Sequence, residues 1–160
     1  MNRLLVPVLL FIPLAAAQLL LAPIITFNFI GPDFLAIIVT YYGVRHGHIF
    51  GSLYGFGGGL LFDLISGGLL GASMFAYTIT GFIAGYFYKE DEYHHLHSFQ
   101  FMAVVLLTSS IGSFIYSLFS GAEINSSFLF LLFEEALLPG LYTSLLSFPV
   151  LFIRTERGIQ

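Results

Sequence analysis

The chain has 160 residues, 58% hydrophobic and 9% charged, with a formal net charge of −4. A soluble domain carries about 25% charged residues, so a water-exposed globule is excluded and the composition reads as an all-α integral membrane protein. The absence of cysteine removes disulfides and thiolate metal sites, and the negative balance is the opposite of a nucleic-acid-binding face.

A spanning helix needs about 20 mostly apolar residues, and six stretches qualify as one compact bundle. The first is Leu4–Ala22. Its apolar run exceeds the ~7–15 residues of a signal-peptide core, so it is expected to persist as a helix. The second is Phe27–Gly43. It is the weakest, because "FNFIGPDF" carries a Gly-Pro break that bends or ends a helix. Asp33, just behind Pro32, suits the positive end of a helix dipole.

The third span, His48–Leu64, carries Gly51, Gly55 and Gly59 four residues apart, and Asp63 continues the row. The fourth, Leu69–Tyr88, repeats the spacing with Tyr77, Gly81 and Gly85. The fifth, Phe99–Ser120, does so with Ser109, Ser113 and Ser117. Residues four apart share a helix face, and small residues there let backbones approach closely in a bilayer. The sixth span, Ser127–Ile153, contains Glu134 and Glu135. Adjacent helical positions point about 100° apart, so one is expected to face the bundle and the other a cavity or a partner. Pro139 is expected to kink that helix.

All five basic residues, Arg3, Arg45, Lys89, Arg154 and Arg157, fall at the two ends or in the connections after the second and fourth spans. Positive residues mark the cytoplasmic side, so six spans with both termini in the cytoplasm satisfy the pattern, whereas five would scatter the charges across both faces. Trp is absent, which leaves nine Tyr as interfacial anchors. His46 and His48 flank the second connection. His94, His95 and His97 lie in "KEDEYHHLH", where an exposed connection reads as solvated rather than as a preorganised metal site. No metal or cofactor is expected.

Ionisable residues inside spans are functional candidates. A carboxylate at mid-helix costs about 2.5–3.5 kcal/mol on insertion scales, and Asp63 sits toward the end of its span on the glycine side. Two readings are open. Asp63 caps the backbone N–H groups of "SGGLLG" at the start of the fourth span, or it lines a polar pocket opening outward.

The segments "GPDFLAIIVTYYGVRHG" and "GFGGGLLFDLISGGLLGASMFAYTITGF" resemble the bacterial rod shape-determining MreD family. The matching features are Pro32 and Asp33, then Gly59, Asp63, Leu64, Ser66, Gly67, Gly68, Gly71 and Tyr77. They cover roughly residues 31–85, and Leu69 stands where family members often have Pro. The resemblance implies a non-enzymatic, multi-pass subunit of the cell-elongation complex in the bacterial cytoplasmic membrane. It would bind the bitopic protein MreC and support peptidoglycan synthesis beside the RodA glycosyltransferase, its transpeptidase partner and, indirectly, MreB. It also implies a fold similar to the S-components of energy-coupling-factor transporters. In this reading Asp33, Asp63 and the Ser66–Gly68 turn hold spans two to four in register, while an apolar groove receives the MreC helix.

Two other classes compete. A vitamin-type transporter subunit would present small residues four apart on its first helix. Here Ala15, Ala16 and Ala17 are consecutive, with Leu19 and Leu20 following. An intramembrane aspartyl protease would use two Asp residues as acid and base, but "PD" and "LFD" lack the Tyr-Asp and Gly-x-Gly-Asp contexts of such enzymes.

Overall fold

Backbone N–H and C=O groups find no water in a bilayer, which leaves helices or closed barrels as the workable structures. The computed structural model describes residues 2–26, 30–88, 98–120, 129 and 131–148. Their regular elements are helices: α1 (Asn2–Leu20), α2 (Ala22–Ile25), α3 (Phe34–His46), α4 (His48–Ser66), α5 (Ala72–Gly85), α6 (Ser98–Ser120), a π-helical segment (Leu131–Leu137) and α7 (Leu138–Leu146).

The glycine rows read from the sequence face one another. A Cβ on Gly51 would run into the carbonyl of Gly81, one on Gly55 into the carbonyl of Tyr77, and one on Gly59 would lie 2.6 Å from the carbonyl of Ser73. From the other side, Gly81 abuts the carbonyl of Gly51 and Gly85 abuts the backbone of His48. The two antiparallel helices therefore touch backbone to backbone along their length, which no side chain larger than hydrogen permits. Gly43 extends the contact to α3, where a Cβ would sit 2.8 Å from both the Ala84 methyl and the Gly81 carbonyl. Helix α5 thus packs against α3 and α4, and its remaining face meets α6.

The first helix adds Phe11, which covers Gly58 and joins Leu35, Ala36, Val39 and Tyr77 in one apolar cluster. A second cluster of Ile37, Phe101 and Val105 ties α3 to α6, with Leu146 of α7 against it. Between the helices lies a buried group of hydroxyls. Thr40, Thr80 and Thr108 are fully buried. The Thr40 and Thr108 hydroxyls lie 2.8 Å apart, and Thr80 and Thr108 each donate to the carbonyl four residues earlier. The Thr40–Thr108 bond crosses from α3 to α6, and bonds between helices hold a bundle together where lipid removes the hydrophobic drive. Large apolar side chains point away instead, among them Ile49, Phe50 and Leu53 on α4 and Phe99 and Leu118 on α6. Buried small residues inside and bulky apolar ones outside are the inverse of a water-soluble bundle.

Several boundaries differ from the sequence reading. The second span was expected over Phe27–Gly43, yet α3 begins at Phe34 and runs to His46. Pro32 disfavours helix at the residue before it, and Asp33 then caps the new start. The fourth was expected from Leu69, but residues up to Gly71 are spent on a turn and α5 begins at Ala72. The first span, expected over Leu4–Ala22, is α1, and the short α2 begins at its last residue, Ala22. The sixth is not one α-helix kinked at Pro139: the π-helical segment gives way to α7, with Pro139 at its second residue, where a missing N–H costs nothing. The expected end at Ile153 lies outside the described residues. Among the described residues two helices, α4 and α6, are long and apolar enough to cross a membrane; α3 and α5 are shorter than expected.

The tyrosines also divide. Tyr41, Tyr42, Tyr54 and Tyr86 gather with His46, His48 and Phe50 around the junction of α3 and α4, and Arg45 donates to the Tyr41 hydroxyl. An aromatic girdle beside a cation is the composition of a membrane interface. Tyr77, by contrast, is buried in the bundle and is no interfacial anchor. Of the serine row, Ser109 and Ser117 are buried, while Ser113 is only half-buried.

Replacing Gly55 with Leu should separate α4 from α5 and lower the melting temperature in detergent, followed by far-UV circular dichroism, with a loss of about 1–3 kcal/mol. Gly57 meets nothing within 4 Å, so Gly57→Ala should leave stability equal or raise it by up to about 1 kcal/mol. Equal effects at both positions would refute the backbone-contact assignment.

Candidate functional site

The first four N–H groups of a helix have no intrahelical acceptor, and at α5 they meet the Asp63 carboxylate. Oδ2 accepts from Gly71 at 2.8 Å and from Met74 at 3.2 Å, while Oδ1 accepts from Ser73 at 3.2 Å. Asp63 is 3% exposed. Of the two readings left open by the sequence, the cap is the one observed. The carboxylate comes from the end of α4, so it caps the next helix across a turn rather than its own. That turn needs glycine: Gly67 ends α4 at φ 66° and Gly71 precedes α5 at φ 102°, both left-handed conformations that strain other residues.

Ser66 and Gly68 contribute less directly. The Ser66 hydroxyl lies 3.5 Å from the Asp63 carbonyl and accepts from Gly68 at 3.4 Å, and both residues are exposed. The donors to the carboxylate are therefore Gly71, Ser73 and Met74, and the Ser66–Gly68 turn serves to return the chain so that they reach it.

Asp33 performs the same service for α3. Its Oδ1 accepts from the Ala36 N–H at 2.9 Å and from the Tyr77 hydroxyl, also at 2.9 Å. Tyr77 belongs to α5, so the cap of one helix is bonded to the helix that the second aspartate caps. The backbone on either side is tied as well. Gln18 of α1 donates to the Pro32 carbonyl and accepts from the Phe34 N–H, each at 2.8 Å, and the Asp33 N–H donates to Thr143 Oγ1 of α7 at 3.0 Å. Four helices thus meet at Pro32–Phe34.

The sequence singled out Pro32, Asp33, Asp63 and Tyr77, and the structure joins Asp33 to Tyr77 directly and Asp63 to the start of Tyr77's helix. Gln18 and Thr143 were missed. Gln18 had a signal: it is the single polar side chain in Leu4–Ala22, and an unpaired amide in that setting demands a partner. Thr143 had none, since hydroxyls are routine in membrane helices.

The third acidic site is different. Glu134 and Glu135 are both exposed, which corrects the expectation that one faces the bundle. They lie in the π-helical segment, whose i→i+5 bonding widens the turn and narrows the angle between neighbouring side chains, so both fall on the outer side. Among the described residues no cluster of His, Cys, Asp or Glu could hold a metal ion.

A family model described as rod shape-determining protein MreD matches residues 1–155. The chain belongs to the MreD family. The match runs well beyond residues 31–85, where the recognisable motif lies. MreD proteins are membrane proteins with a role in determining rod shape. None of the curated proteins and none of the solved structures compared with the chain matches it.

Asp63→Ala would strand three N–H groups at a buried helix start, each worth about 1–3 kcal/mol when unsatisfied. The expected order of melting temperatures in detergent is Ala below Asn below wild type, since Asn keeps one acceptor oxygen. Tyr77→Phe removes one bond to the Asp33 carboxyl and should cost about 1–3 kcal/mol. Asn as damaging as Ala would assign the effect to charge rather than to the number of acceptors.

Proposed function

We propose that this MreD-family chain is a non-catalytic scaffold subunit of the cell-elongation complex, binding the bitopic protein MreC and supporting peptidoglycan synthesis. In this reading it crosses the bacterial cytoplasmic membrane six times with both termini in the cytoplasm, in a bundle similar to the S-components of energy-coupling-factor transporters. The two aspartate caps stand toward the outer side and the Arg45 girdle toward the cytoplasm. MreC would be the direct partner. The RodA glycosyltransferase and its transpeptidase would be reached through the same complex, and MreB indirectly.

The observation that carries the reading is the use made of the two aspartate carboxylates. Asp63 accepts three backbone N–H bonds, and Asp33 accepts one plus the Tyr77 hydroxyl. A general acid or base must be within reach of a substrate proton, whereas these oxygens are taken up in fixing where α3 and α5 begin. The site is architecture that presents helix faces, and helix faces in a bilayer bind other helices.

Purified from its native membrane, the protein should bring MreC with it, and Asp63→Ala should reduce that recovery at equal amounts of inserted chain. Undiminished recovery with Asp63→Ala would show that the caps do not support partner binding. A vitamin or an ATPase pair recovered in place of MreC would replace the scaffold reading with transport.

A further inference from the structure

Gly140 of α7 sits directly against Ser110 of α6, where a Cβ would strike the Ser110 hydroxyl. That contact marks the side of the last helix that faces α6. In an α-helix each residue turns about 100°, so the residue seven before Gly140 lies about 700° back, within about 20° of the same side. That residue is Phe133. Leu132, eight before, would fall about 80° away. The structure has the reverse. Leu132 lines an apolar groove with Ala136, against Ser110, Ile111 and Phe114 of α6, while Phe133 is 58% exposed. The π-helical turn over Leu131–Leu137 accounts for the exchange. Its i→i+5 bonds spend an extra residue and so carry Leu132 into the place Phe133 would take.

Pro139 supplies the reason for that turn. In an uninterrupted α-helix its ring presses on the carbonyl four residues earlier, that of Glu135, and widening the helix just before it relieves the clash. Pro139 also has no N–H to give to the carbonyl of Glu135 in the α register or of Glu134 in the π register. That bond is missing either way, so passing from one register to the other forfeits nothing at this residue. With Leu132 in place of the larger Phe133, a space of about 250 Å³ stays open against α6.

We propose that the π-helical turn is a register switch. In its π setting, favoured by Pro139, the groove is open; in its α setting, Phe133 turns in and closes it. The same bundle then offers the bilayer a recessed face or a flush one. The glycine contacts and aspartate caps that hold α3, α4 and α5 involve none of residues 131–138, so the switch leaves that part of the bundle in place. It is independent of which protein the bundle docks, and its failure would leave the scaffold reading untouched.

The chain contains no cysteine, so pairs of thiols can be introduced cleanly. Phe114→Cys is combined with Leu132→Cys or with Phe133→Cys, and each pair is treated in native membranes with a short bifunctional thiol reagent. Intramolecular cross-links are read by mass spectrometry after proteolysis. The Leu132→Cys pair should dominate, with the Phe133→Cys pair giving about a tenth or less of its yield, as expected of a minor state. Pro139→Ala restores the N–H and removes the ring, and should reverse the ratio. Deleting Glu134 takes out the extra residue and sets Leu132 seven before Gly140, so in that background Leu132→Cys should keep its cross-link and Pro139→Ala should change nothing. No Phe133→Cys product with Pro or Ala at position 139, or a ratio unmoved by Pro139→Ala, would overturn the proposal. So would a reversal that survives the deletion. Pro139→Ser is measured beside Pro139→Ala, and should neither insert, the pairs with Pro139 intact still decide whether the α setting is populated.

Discussion

The Asp63 carboxylate accepting the first N–H groups of α5 is the constraint on which the bundle depends. A helix start in water can leave its orphan donors to solvent; in an apolar medium each needs an acceptor on the protein. Asp63 supplies two oxygens to three donors, and the left-handed Gly67 and Gly71 turn the chain tightly enough for them to meet. Because α5 touches α3, α4 and α6, fixing its first residue fixes the register of three interfaces. The glycine contacts follow from that register: shifting α5 by one residue would bring side chains where Gly81 and Gly85 now allow backbone approach.

Asp33 makes the arrangement cooperative. Its carboxylate caps α3 and holds Tyr77 of α5, while the peptide groups around it engage Gln18 and Thr143. Each such bond between helices is modest, on the order of 0.6–2 kcal/mol. Their effect comes from meeting at three consecutive residues, so that displacing any one helix strands donors on two others. The Thr40–Thr108 contact adds a second polar tie deeper in the bundle, and the aromatic girdle around Arg45 closes the opposite end of α3. A bundle held this way has little need of large buried side chains, which agrees with a core rich in Ala, Gly, Ser and Thr.

The acidic residues consequently serve two different purposes. Asp63 is buried and Asp33 half-buried, and both accept bonds from donors of the same chain. Glu134 and Glu135 are turned outward by a segment of unusual helical geometry and make no bond to a described residue. π-helical turns recur at functional sites because they break the regular helix face, and here one does so beside an apolar groove. In this member of the MreD family, the two aspartates fix where α3 and α5 begin, and the two glutamates take no part in the contacts among the described helices.

How much of this was legible in the sequence can be argued residue by residue. Composition fixed the medium, because 9% charge cannot cover a soluble surface. Spacing of four identified the faces of α4 and α5 that touch, since in a bilayer small residues are the means of close approach, and it put Asp63 on the packed side. Pro32 and Asp33 announced a helix start, although the apolar run before them suggested an earlier one. What the sequence could not decide was partnership across long separations. Which N–H groups Asp63 would hold, that Tyr77 would reach Asp33, and that Gln18 and Thr143 would bind the peptide groups beside it all depend on how helices distant in sequence are placed. Nor could periodicity foresee the π-helical turn, because the angle between Glu134 and Glu135 follows from a hydrogen-bond register that local residue types leave open. Local chemistry determined the medium, the faces and one cap; only the tertiary structure, by bringing donors and acceptors far apart in the chain to within 3 Å or so, decided which groups satisfy one another.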